Sequence, residues 1–115
     1  MRKVLAMSGV ILLAVGLPGL SRAAPSPIEA KTLTLFLAAC AKNQDACNGE
    51  ISSQVLMESD GDMKDQVCLT DDMHDAPIMI SRAMMRWLKS ARQFAGKPPV
   101  QAIEAGAKIL YPCNP

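Results

Sequence analysis

Residues 75–99 read DAPIMISRAMMRWLKSARQFAGKPP, and this stretch decides the fold. Ile80, Met84, Trp87, Leu88, Ala91 and Phe94 or Ala95 recur at gaps of three and four, which puts them on one side of a helix. Asp75 stands at a cap position, and Pro77 falls in the first turn, where a missing N–H is harmless. Gly96-Lys97-Pro98-Pro99 stops the pattern. The other side of the helix is basic, with Arg82, Arg86 and Lys89 at i, i+4 and i+7 and Arg92 beyond. An amphipathic helix of this kind needs partners for its apolar stripe, and the flanking sequence supplies three more helical segments.

After the Pro98-Pro99 stop, Val100, Ile103, Ala107 and Leu110 alternate gaps of three and four up to Tyr111-Pro112-Cys113, which predicts a last helix. Upstream, Cys47, Ile51 and Val55 lie four apart within a helix from about Ala46 to Glu58, weakened at its start by Asn48-Gly49. The first helix is expected to open at Ser26-Pro27-Ile28-Glu29. There Ser26 and Glu29 form a capping box and Pro27 takes the first helical position. Ile28, Leu33, Phe36, Leu37 and Cys40 give it an apolar side. No alternating β-branched run marks a strand. The expectation is an all-α, four-helix domain, its core anchored by Phe36, Trp87, Phe94 and Tyr111.

The N-terminal end is of another kind. Met1-Arg2-Lys3 is basic, residues 4–17 are almost wholly apolar, and Ser21-Arg22-Ala23 spaces small residues as a signal peptidase reads them. The run is shorter than a spanning helix requires. The chain thus divides into a signal peptide, 1–23, and a helical domain, 24–115, with no membrane attachment once the signal is cleaved. The domain keeps nine Lys and Arg against eleven Asp and Glu, so the net charge passes from +1 to −2. That balance excludes a nucleic-acid partner, which needs a clearly basic surface.

Cys40, Cys47, Cys68 and Cys113 all lie in the domain. An even count in a small exported chain reads as two disulfides. No C-x-x-C pair suggests a zinc site. Three pairings are formally open. Cys40 closes one helix and Cys47 opens the next, while Cys68 precedes and Cys113 follows the last helical hairpin. Cys40–Cys47 and Cys68–Cys113 are therefore the pairings that helix geometry favours.

The C-terminal half also carries a resemblance. Cys68, Asp75, the aromatic-Leu pair Trp87-Leu88, Pro98 before an apolar helix and the ending Tyr111-Pro112-Cys113 resemble the Rap/Tai family. Those are periplasmic immunity proteins that neutralise peptidoglycan amidases delivered by type VI secretion. The likeness covers residues 68–113 and, more loosely, 33–55. Two features depart from the pattern: residues 48–52 lack an aromatic residue, and Ala91-Arg92 stands where the family often has His-Pro. The resemblance implies an all-helical periplasmic fold and a protein partner of the amidase class. It transfers no binding residue.

The residues themselves point away from an enzyme. His74 is the single histidine, and its neighbour Asp75 projects in another direction on a helix start. Asp60-Gly61-Asp62 lacks the later ligands of a calcium loop. The six methionines of the domain, Met57, Met63, Met73, Met79, Met84 and Met85, read as adaptable core filling rather than a copper site. No cofactor is called for. The segment 58–75 is the feature that a helical core does not need: Glu58, Asp60, Asp62, Asp65, Asp71, Asp72 and Asp75 face only Lys64. Its first half, Glu58, Asp60, Asp62 and Asp65, is the candidate contact surface for a basic protein partner. The basic side of the third helix can pair with it within one chain or between two, the latter giving a homodimer. The alternative to an immunity-type inhibitor is a periplasmic stress, chaperone or metal-binding envelope protein.

Overall fold

The computed structural model describes residues 26–114, so the expected signal segment lies outside the described residues. Five α-helices follow in order: α1 (Leu33–Lys42), α2 (Gln44–Asp60), α3 (Asp71–Asp75), α4 (Ile78–Ser90) and α5 (Pro99–Leu110). Single 3-10 turns, Pro27–Glu29 and Arg92–Phe94, precede α1 and follow α4. The four expected helices are present as α1, α2, α4 and α5, and α3 is a single added turn. No strand occurs among the described residues, only an isolated bridge between Val67 and Pro112. Both disulfides form as the helix geometry required, Cys40–Cys47 and Cys68–Cys113, with Cα atoms 5.5 and 4.8 Å apart. No cysteine is left free, which fits an oxidising, extracytoplasmic compartment. No helix among the described residues is long and apolar enough to cross a membrane.

Local chemistry moves several helix ends from their expected places. The Ser26–Glu29 capping box does not form: Ser26 makes no side-chain cap, and Pro27–Glu29 closes one 3-10 turn before the chain extends at Ala30. Thr32 starts the helix instead, its hydroxyl accepting from the Leu35 N–H at 3.2 Å. The Leu33 and Thr34 amides, which a helix start leaves unpaired, donate to the carbonyls of Lys97 and Ala95. Asp75 likewise ends α3 rather than capping α4. Thr70 caps α3, and Pro77 leads into α4 with no side-chain cap. At the other end α4 stops at Ser90, five residues before the expected Ala95.

The corner between α1 and α2 is tight because Asn43 serves both. Its N–H ends α1 on the Ala39 and Cys40 carbonyls, and its side-chain oxygen accepts from Ala46 N–H at 3.3 Å to begin α2. The Cys40–Cys47 bond locks this corner from inside the core, where both cysteines are buried. α2 then lies against α4 and α5. Its buried line is Cys47, Ile51, Val55 and Glu58; α4 contributes Ile80, Met84 and Leu88, and α5 contributes Ala102, Ile103 and Ala107. Phe36 and Tyr111 are buried, as expected of core aromatics. Trp87 and Phe94 are half-buried and tilted against each other, ring centroids 6.0 Å apart. Trp87 lies over Gly106 of α5, which brings the ring within reach of the helix backbone.

Candidate functional site

The acidic segment is a built structure and not a loose linker. α2 runs on to Asp60, and a series of turns then carries the chain to Val67. Two apolar side chains fasten these turns to the core: Met63 and Val67 are both buried. Backbone bonds tighten the arrangement, from Met63 N–H to the Glu58 carbonyl at 3.0 Å and from Val67 N–H to the Met63 carbonyl at 2.8 Å. The far end is tied to the C-terminus. Cys68 N–H donates to the Tyr111 carbonyl at 2.8 Å, beside the Cys68–Cys113 disulfide. Between the anchors, Asp60, Asp62 and Asp65 are exposed, and so are Asp71, Asp72 and Asp75 further on.

Glu58 leaves the candidate contact group. It is only 6 % exposed, one turn beyond Val55 on the inner side of α2. One carboxylate oxygen accepts from Gln54 Nε2 at 2.8 Å, while Oε1 is buried with no hydrogen-bond partner. Burial pushes its pKa above the ordinary carboxylate range; the Gln54 bond opposes this, Glu104 adds to it and Lys108 opposes it. A surface charge was expected at this position, but Cys47, Ile51 and Val55 already define a line at i, i+4 and i+8, and position 58 continues it. That spacing was the signal for burial. The anchor Met63 was equally legible only in retrospect, four residues before Val67 in an otherwise polar run.

The other singled-out residues are dispersed. His74 is exposed on α3. Met63, Met84 and Met85 are buried and Met73 half-buried, as core filling requires, while Met57 and Met79 are exposed. Among the described residues no group of three His, Cys, Asp or Glu side chains is placed to hold a metal ion. A surface hollow of about 510 Å³ lies between Ile28 and the outer side of α2, with Glu50 accepting from the Ile28 N–H at 2.9 Å. Smaller separate hollows lie beside α4, one of them lined by Ile78, Arg82 and Arg86 with Gln44 and Asn48. Tyr111, buried beside the bridge, has its pKa raised by burial and drawn partly back by Arg86. The chain matches no protein-family model, no curated protein and no solved structure.

Proposed function

We propose that this chain is a periplasmic immunity-type protein that binds a peptidoglycan amidase and blocks its cleft with the acidic turns from Asp60 to Asp65. The observation that carries the reading is the pinning of those turns. Met63, Val67 and the Cys68–Cys113 bond hold three exposed carboxylates on a fixed platform. A rigid acidic projection loses little conformational freedom on binding and steers toward a basic surface. The resemblance of residues 68–113 to the Rap/Tai family supplies the enzyme class, and the export signal read from residues 1–23 supplies the compartment where such enzymes act.

The test pairs the protein with the amidase from the same source, both directed to the periplasm. Cells carrying the amidase alone should lyse, and cells carrying both should survive. Equal lysis in the two cultures would defeat the immunity reading. Replacing Asp60, Asp62 and Asp65 together by Asn should slow association by about tenfold or more and reduce its salt dependence, with the thermal midpoint unchanged because exposed charges add little stability. Unchanged association kinetics would remove the acidic turns from the contact while leaving the role intact.

A further inference from the structure

Among the described residues, Oε1 of Glu58 is the one buried side-chain oxygen or nitrogen without a hydrogen-bond partner. An ionised carboxylate so placed keeps a charge from water with one oxygen unbonded, and the protonated acid costs far less. The groups around it do not cancel the charge. Gln54 bonds only Oε2, at 2.8 Å. From α5, Glu104 repels the charged form and the exposed Lys108 attracts it. The adjoining turns carry Asp60, Asp62 and Asp65 against Lys64, all exposed. The backbone of the same residue holds those turns. The Glu58 carbonyl accepts from Gly61 N–H at 3.3 Å and Met63 N–H at 3.0 Å, and the Met63 carbonyl accepts from Gln66 N–H at 2.9 Å and Val67 N–H at 2.8 Å. Glu58 lies two residues before α2 ends at Asp60, where helices open most readily. Drawing its carboxylate out to water opens that last turn and breaks the bonds its carbonyl makes.

We propose that Glu58 is a proton-operated latch for the acidic turns: protonated, it stays packed and holds residues 61–67 on the core; ionised, it moves to water and releases Met63. The direction follows from linkage. Burial, the largest influence, raises the carboxyl's pKa in the closed form above its value in the open form, where water surrounds it. The closed form is therefore full below the open form's pKa and declines as pH rises through that of the closed form. A latch built on a salt bridge would work the other way and open in acid. The far end of the segment stays tied in both states, because the Cys68–Cys113 bond and the Cys68 N–H on the Tyr111 carbonyl do not titrate. This inference does not rest on the amidase reading, since it concerns how the turns are held and not what they meet.

Methionine oxidation by dilute peroxide, mapped by mass spectrometry on the purified protein, tests it. Met63 is buried in the closed form, Met79 on α4 is exposed in both forms, and Met84 marks the core. Between pH 5 and pH 8 the oxidation rate of Met63 relative to Met79 should rise by about threefold or more, while Met84 stays unoxidised. The rise should share its midpoint with the Glu58 carboxyl titration, followed by nuclear magnetic resonance. Glu58→Gln should flatten it, and the Asp60→Asn/Asp62→Asn/Asp65→Asn variant should keep it. A pH-independent Met63 rate would overturn the proposal, as would a midpoint apart from that of Glu58. Oxidation of Met63 and Met84 together would overturn it too, because the whole domain would then be opening. So would loss of the rise in the triple Asn variant, which would assign the movement to repulsion among the aspartates.

Discussion

Gly106→Ala puts the packing of α4 on α5 to a test with a definite sign. Gly106 is buried in the middle of α5. A Cβ there would stand 2.7 Å from Cε3 and 3.1 Å from Cδ2 of Trp87, and 3.0 Å from the Met84 methyl. Helix propensity alone favours alanine by about 0.8–1 kcal/mol. The opposing term is overpacking, typically about 1–3 kcal/mol. It belongs at the upper end here, because the indole is rigid and the Met84 methyl is itself buried and has little room to turn away. The net expectation is a loss of about 2 kcal/mol. In a domain of this size that lowers the midpoint by about 8–16 °C. Thermal denaturation followed by circular dichroism reads the shift, and fluorescence of the single tryptophan reads the ring's displacement. The sharper measurement repeats the substitution in a Trp87→Leu background. With the indole gone only the Met84 contact at 3.0 Å opposes the helix propensity of alanine, so most of the loss should disappear. An unchanged or raised midpoint in the wild-type background would refute the close approach of Trp87 to α5.

Other outcomes follow from the same structure. In the chain-entropy relation the Cys68–Cys113 bond, closing a separation of 45 residues, contributes about 4 kcal/mol, and the Cys40–Cys47 bond, closing 7, about 2.4 kcal/mol. Denaturant midpoints of the two paired Cys→Ala variants should fall in that order, and the reverse order would contradict it. Asn43→Ala removes the side-chain cap of α2 and should cost about 1 kcal/mol by the same measurement; no change would show that the corner does not need it. Glu58 has a folded pKa above its unfolded value of about 4.3. Its stabilising contribution is full below that value and is lost as pH rises through the folded pKa. Glu58→Gln should therefore gain on the wild type between pH 4 and pH 8 in urea midpoints, and a pH-independent difference would show that Glu58 is not desolvated.

Helix existence and cysteine pairing were legible because each depends on spacing within a single segment or on which segment ends meet. Ile80, Met84 and Leu88 repeat at helical intervals, and the cysteines sit at helix ends where short spans and one hairpin bring them together. Helix starts were less legible because competing caps stand close together in sequence. Ser26 with Glu29 satisfies the capping pattern as well as Thr32 does. The choice falls to Thr32 through tertiary bonds, since the Ala95 and Lys97 carbonyls receive the amides of Leu33 and Thr34. The half-exposure of Trp87 has a similar cause. Its place on the stripe is right, but Gly106 lets the ring lie over α5 at the edge of the core.

The acidic turns show how a charged projection can be held without spending its charges on the fold. Six exposed aspartates crowd into residues 60–75, and mutual repulsion favours an extended arrangement of such a run. Met63 and Val67 oppose that expansion by burying apolar surface, each within the same five-residue stretch as Asp65. The Cys68–Cys113 bond opposes it again by fixing the far end against α5. Neither device uses a carboxylate, so Asp60, Asp62 and Asp65 stay exposed. Glu58 follows the opposite course: it turns inward with one oxygen bonded to Gln54 and contributes to the core instead of the surface. The boundary between the two behaviours falls where α2 ends. Up to Asp60 the helix repeat decides which side chains face inward, and beyond it the two apolar anchors do.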